Sequence, residues 1–419
     1  MLKRIIAIAF IFACTSVAWA ILGGTIFTRT YSSDAVSQNR VTSTWGAPQN
    51  QAPPSASFKT ILSRPQETIE NNKKTIKTVQ EEVITELPLE SSSIDVGLEL
   101  EHRQKGLLWY STYKVAFAGD YGFRNTSDKE QTIDFTLKFP TSQAIYDNLA
   151  FTIDGAALPI TNHDNVASAA VKIAPGKTAQ LKVGYSSQGL NEWRYSFGSS
   201  NVAQVRDFNL RMRTNFKEID FPDNTLSPSQ KRENSNGGWD LRWSYTNLLS
   251  GYQIAMMMPE KLQPGPLAGK ISLFAPVSLF FFFFLMFIIT TMRGIELHPM
   301  NYFFLAAAFF SFHLLLAYLV DHVSIHVAFT ISAAVSVFLV ISYLRLVVGM
   351  RFASREAALA QFIYLIMFSY AFFLEGFTGL AITIGSVLTL FVVMQVTGRI
   401  RWADKFALKP ANEASPELS

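Results

Sequence analysis

A chain of 419 residues with a single cysteine, Cys14, can form no internal disulfide, so any exported part must be stable without covalent staples. Charge is also scarce. Charged residues make up 16% of the sequence, well short of the roughly 25% usual for soluble globular chains, and the shortfall is concentrated in the C-terminal third. Chemistry-bearing motifs are missing as well: no nucleophile elbow, phosphate loop, zincin helix or paired-cysteine motif is present. The net charge of +4 is too small to suggest a nucleic-acid partner.

Long apolar runs dominate instead, and only a bilayer accommodates so much unbroken apolar surface, provided each run is a helix that satisfies its own backbone. Five spans are predicted in the C-terminal part: Ile271 to Met292, with its five consecutive phenylalanines Phe280–Phe284, then Asn301 to Val320, Ser324 to Leu344, Ala357 to Leu374, and Thr378 to Thr397. The fourth carries Gln361 and Ser369 and is the most polar. Near the N-terminus, Lys3 and Arg4 precede an apolar run from Ile5 to Phe27. Ala18-Trp19-Ala20 has the spacing of a signal-peptidase site. The apolar run continues past it, so an uncleaved signal anchor is favoured over a cleaved leader.

Between the anchor and the spans the pattern changes twice. Residues 29–87 are polar and irregular, with the Pro- and Gln-rich Ala47–Pro54, and read as a linker or arm. From 88 to 265 the period becomes two: Ile133, Phe135, Leu137 and Phe139 alternate with polar residues, as do Phe208, Leu210 and Met212, and Trp239, Leu241, Trp243 and Tyr245. Turn signals such as Asp154-Gly155 and Asn236-Gly237-Gly238 separate the runs. The expectation is an all-β domain, a β-sandwich, inserted into an α-helical membrane protein. Its aromatics, Trp109, Tyr110, Trp193, Tyr195, Trp239 and Trp243 among them, are read mainly as core. Arg206, Arg211 and Arg213 are read as a solvated strand face, and His102 and His163 as isolated. Pro264-Gly265-Pro266 reads as a hinge. Residues 1–28 are then the anchor, 266–398 a five-helix membrane domain, and 399–419 a tail.

Basic residues in short loops mark the cytoplasmic side. Arg293, then Arg345, Arg351 and Arg355, then Arg399, Arg401, Lys405 and Lys409 fall in alternate segments, whereas the loops around Asp321 and Gly376 contain no lysine or arginine. Both termini are therefore expected in the cytoplasm, and the β domain in the periplasm. Ionisable groups near a membrane are candidate sites. Asp321, His322, His326 and Glu375 fall on the outer side and form a candidate polar cluster for a metal, a proton or a pH response, against the plainer reading of wetted interfacial groups. His313 lies mid-span, where a hydrogen bond to a neighbouring helix is the expectation. On the inner side, Glu296, His298 and Pro299 read as the cap of the next helix.

Leu297-His298-Pro299-Met300-Asn301-Tyr302, Asp321-His322 one span later, and the closing Arg399-Ile400-Arg401-Trp402 resemble the C-terminal half of CreD-like inner-membrane proteins. The departure is Arg401, where an acidic residue is expected. The order of anchor, large exported domain and C-terminal helix cluster is also similar. The resemblance implies a multi-pass inner-membrane protein linked to envelope integrity and stress or colicin tolerance, non-enzymatic and without cofactor. Its partners would be the lipid bilayer and another envelope protein or cell-wall component. Transport of a small molecule or ion through the helical bundle is the alternative.

Overall fold

The computed structural model describes residues 2–70, 73–198 and 203–398. The chain divides into two units. One is helical, made of Met1–Ala35, Gly106–Leu108 and Leu262–Ser419; the other, Val36–Lys105 with Trp109–Lys261, is built of strands. The expected cationic tail from Arg399 onward lies outside the described residues.

Six helices among the described residues are long and apolar enough to cross a membrane: α1 (Leu2–Trp45), α2 (Pro264–Arg293), α3 (Pro299–Leu319), α4 (Ile325–Val347), α5 (Met350–Phe373) and α6 (Thr378–Thr397). The five C-terminal ones coincide with the five predicted spans. Pro264-Gly265-Pro266 is not a hinge but the first turn of α2, where a missing N–H costs nothing. That helix ends at Gly294, whose left-handed backbone turns its N–H back to the Thr290 and Thr291 carbonyls. Helices α1 and α2 run antiparallel: Phe12 meets Phe280, Gly23 lies against Leu273, and Gly269 against Phe27.

Helix α5 is irregular. It contains two π-helical stretches, Ala353–Ala357 and Phe362–Met367, and closes as a 3-10 turn at Ala371–Phe373. Widened turns loosen backbone carbonyls from their usual partners, and inside a bilayer a neighbouring side chain must then satisfy them. The hydroxyl of Ser278 on α2 does so by donating to the Tyr364 carbonyl.

The stretch 29–87 departs most from expectation. Instead of an irregular linker, α1 continues to Trp45 and three strands follow: β1 (Gln49–Gln51), β2 (Ser55–Glu70) and β3 (Lys73–Glu86). β2 and β3 pair over their whole length, from Ser57↔Glu86 to Glu70↔Lys73, whereas only Ser55–Ser57 joins the rest of its sheet. A ribbon with a second neighbour only at its base buries little, so no alternation of apolar and polar residues marks it in the sequence.

The remaining strands are β4 (Leu89–Lys105), β5 (Leu108–Arg124), β6 (Gln131–Lys138), β7 (Tyr146–Ile153), β8 (Ala156–Ala157), β9 (Thr161–His163), β10 (Val166–Ile173) and β11 (Thr178–Leu190). After these come β12 (Glu192–Tyr195), β13 (Ala203–Thr214), β14 (Gln230–Glu233), β15 (Trp239–Ser250) and β16 (Ile254–Met257). They form an eight-stranded sheet ordered β14-β15-β13-β4-β5-β11-β7-β8, a five-stranded sheet β3-β2-β6-β10-β9, and a small sheet β1-β12-β16. All three contribute to one hydrophobic core, in which Phe58, Phe135, Leu181, Trp193 and Trp243 are buried together. This is the all-β domain that the period-two runs predicted, inserted between α1 and α2. Ile133, Phe135 and Leu137 face inward, as do Phe208, Leu210 and Met212. Trp193, Tyr195, Trp243 and Tyr110 are buried, and Trp109 and Trp239 half-buried, so most of the aromatics are core.

Polar groups are sealed in that core too. Gln49 donates to the Ser187 hydroxyl at 2.8 Å, and Gln51 accepts from the Tyr185 hydroxyl at 2.6 Å. Burial pushes the Tyr113, Tyr121, Tyr185 and Tyr195 hydroxyls well above the ordinary phenol range, and the Tyr146 hydroxyl up to about 12. The tyrosines therefore stay neutral, and each can donate without placing charge in the interior.

Candidate functional site

The four residues of the expected outer cluster are not brought together. Asp321 is taken by Arg29 of α1: Nη1 lies 3.2 Å from the carboxylate, while Nη2 donates to the Ala317 carbonyl at 2.6 Å. His326 packs its ring against Phe373 at 5.2 Å. His322 and Glu375 are exposed, and neither forms an ion pair among the described residues. No group of three or more His, Cys, Asp or Glu side chains among the described residues is placed to hold a metal. The physical reason is competition. Arg29 is a permanent cation with a planar fork that matches a carboxylate, whereas the tip of α4 meets α5 through an aromatic contact. Arg29 is the residue that sequence reasoning missed. Its signal was an arginine two residues past the end of the first apolar run.

The Arg29–Asp321 pair is about one-third exposed on each side, so its coupling is modest. Arg29→Ala and Asp321→Ala are expected to be non-additive by under about 1 kcal/mol in a double-mutant cycle on thermal unfolding of the detergent-solubilised chain. Strict additivity would show that the pair does not tie α1 to α3.

At the other end of the bundle, His298 caps α3: its Nδ1 accepts from the Met300 N–H at 3.2 Å, with Pro299 in the first helical position. Glu296 is exposed and takes no part in the cap. The carboxylate in use here is Glu356, 2.5 Å from Arg293.

The deep polar residues fall into two groups. His313 is fully buried, edge-on to Phe312 and to Trp19 of α1 at 4.9 and 5.8 Å between ring centres. Neither of its nitrogens has a hydrogen-bond partner among the described residues, so the expected bond to a neighbouring helix is not made there. Gln361, by contrast, is a cross-tie. Its Nε2 donates to the Ser336 hydroxyl of α4 at 2.9 Å, and that hydroxyl donates to the Ala308 carbonyl of α3 at 2.6 Å. Tyr364 similarly donates to Thr389 of α6 at 2.8 Å. Such bonds stitch helices where no hydrophobic driving force acts between them. The oxygen of Gln361 remains buried without a partner among the described residues.

In the β domain, the outward face of β4 and β5 forms a shallow trough in which small side chains, Ser93 and Gly97 on one strand and Ala116 and Ala118 on the other, are interspersed with Asp95, Lys114 and Asp120. Longer charged residues wall this trough. Arg211 makes a forked bond to Asp240 with contacts of 2.5–3.2 Å, which holds that carboxyl below the usual range. Arg213 bonds Asp95, and Lys182 lies 3.7 Å from Asp120. Arg211 and Arg213 are thus neutralised on a solvated face, as expected, and Arg206 is exposed. His102 contacts the Pro259 carbonyl at 3.0 Å, and His163 lies exposed beside Asp164. Neither histidine has a metal-ligating companion among the described residues.

The sequence model of the family described as inner membrane protein CreD matches residues 1–403. This chain belongs to the CreD family of inner-membrane proteins. The match extends the resemblance from the last helices to the β domain and the first helix. No curated protein matches the chain. Among solved structures, a candidate nutrient-binding protein from Legionella pneumophila aligns with a TM-score of 0.33 at 11% identity, over 57% of this chain and 76% of that one. An M1 zinc metallopeptidase from Deinococcus radiodurans aligns with a TM-score of 0.25 at 11% identity, over 40% of this chain and 42% of that one. Likenesses at this level carry no inference about a CreD-family chain.

Proposed function

We propose that this CreD-family protein supports envelope integrity and stress tolerance without catalysing a reaction, by binding or monitoring an envelope component through a β domain that faces the periplasm. The trough on β4 and β5 carries this reading. A floor of serine, glycine and alanine, with Asp95 set among them, in the middle of a wide sheet admits an extended polar chain, and side chains of both charge signs offer it donors and acceptors. The partner is another envelope protein or a cell-wall component rather than a nucleic acid. The test is to fill the floor. Ala118→Arg is expected to abolish stress tolerance while the protein still accumulates in the membrane; full tolerance would remove the trough from the mechanism.

The orientation rests on arginine placement. The antiparallel contact of α1 with α2 puts Arg4 and Arg293 at the same end of the bundle, in keeping with both lying in the cytoplasm. Arg29, at the opposite end, is neutralised by Asp321. Reporter fusions after Gly265, Asp321 and Glu375 are expected to read as periplasmic, and those after Gly294, Gly349 and Trp402 as cytoplasmic. A periplasmic signal from the last fusion would reject the six-span arrangement.

Transport through the bundle is the second reading, and the unpartnered His313 nitrogens and Gln361 oxygen favour it. Substrate-dependent uptake into vesicles, lost in Gln361→Leu, would select it over the binding role.

A further inference from the structure

At the end of the bundle where α1 begins, three polar atoms are shielded from solvent and have no hydrogen-bond partner among the described residues. Two are on Arg4: its Nε and Nη2 have no hydrogen-bond acceptor among the described residues, and its guanidinium carbon sits 5.8 Å from the centre of the Phe287 ring. The third is the hydroxyl of Thr291, 7% exposed and also without a partner. Thr291 lies one helical turn beyond Phe287, on the same face of α2. The neighbouring groups are already engaged. Thr290 donates to the Met286 carbonyl, and Arg293 is held by Glu356 at 2.5 Å.

Two guanidinium nitrogens shielded from water with no acceptor among the described residues are costly, and they call for an anion. Both the shape and the setting select phosphate. The planar guanidinium meets two phosphate oxygens at once, and a hydroxyl supplies a further donor. The first turn of α1 starts at Leu2, and the free N–H groups of a helix N-terminus favour an anion there. Exposed Ile6 and Phe10 of α1, with Phe280 and Phe284 of α2, continue from this point along the apolar part of the two helices, as an acyl chain would. We propose that Arg4 and Thr291 form a seat for the phosphate of an anionic phospholipid, held between α1 and α2 at the membrane surface.

The test uses the full chain, purified in detergent and stripped of lipid, with retained phospholipid counted by mass spectrometry of the intact complex. Phosphatidylglycerol is expected to bind about tenfold more tightly than phosphatidylcholine, and Arg4→Gln to erase that preference. Arg4→Lys should keep part of it. Because Arg4 also helps to set topology, Arg4→Gln could fail to insert properly. Thr291→Val avoids that problem and should weaken phosphatidylglycerol about threefold, the loss of one donor. Equal binding of the two lipids by the parent chain would overturn the proposal, as would unchanged phosphatidylglycerol binding in both Arg4→Gln and Thr291→Val. Inorganic phosphate that displaces phosphatidylglycerol at equal concentration would overturn the assignment to a lipid.

Discussion

Trp243→Asp is expected to unfold the β domain. Trp243 has no exposed surface, and its indole N–H donates to the Leu226 carbonyl at 2.8 Å. Truncating a buried tryptophan costs about 3–5 kcal/mol. The substitution also puts an unpaired carboxylate beside Phe221 and Leu210, and leaves the Leu226 carbonyl unsatisfied. A total above about 4 kcal/mol approaches the whole stability of a typical domain, about 5–15 kcal/mol. Limited proteolysis of the full chain in membrane vesicles checks it: the variant should lose its resistant fragment spanning β4 to β16, while the helices remain in the membrane. A variant as resistant as the parent would mean that β15 does not contribute to the core.

Trp19→Ala is expected to have the largest effect in the helical unit. Trp19 is fully buried against Phe310 and His313 and belongs to the same apolar cluster as Phe282, Phe309 and Leu316. Its removal is expected to cost about 3–5 kcal/mol, read as a lower thermal midpoint in detergent, with Trp19→Phe recovering part of the loss. The same side chain bears on processing. Cleavage after Ala20 would remove Trp19 along with the first half of the apolar run. The mature protein is therefore expected to retain residues 1–20 by intact mass. A mass that begins at Ile21, with the bundle unchanged in stability, would refute the role given to Trp19.

The six helices were readable because hydrocarbon imposes a blunt rule, about 20 apolar residues per crossing, and Pro299 could then be placed within a turn, whereas Pro264, read as a hinge, opens α2 itself. The two-sided strands β6, β13 and β15 were readable for an equivalent reason, since burial on one face leaves a period of two. The ribbon of β2 and β3 was not, because Lys59, Arg64, Glu81 and Glu82 pair with one another in water and leave no periodic trace. Site residues were harder still. Charge and side-chain type singled out Asp321 and His313, but their partners, Arg29 and Trp19, come from a helix nearly 300 residues away in sequence. Gln361 was visible as a polar residue in a span, though its role as a tie depends on Ser336 turning the same way. The trough was invisible, because a few small residues on each of two adjacent strands look unremarkable one strand at a time.

The three-residue strand β1 sets the order of events during synthesis. It lies parallel to β12, with Gln49 opposite Trp193 and Gln51 opposite Tyr195, a partner made about 140 residues later, or roughly 7–30 s at ordinary elongation rates. β12 in turn is held by β16, and β4 by β13. The first strands to leave the ribosome thus wait for the last, and Gln49, Gln51 and the ring of Trp193 cannot be sealed until the chain has reached the start of α2. Over that interval a long segment rich in unpaired strand edges stands open, joined to a helix already able to enter the bilayer. Slowing translation just before Pro264 is therefore expected to prolong the exposure of these edges to proteases more than slowing it anywhere within the later helices.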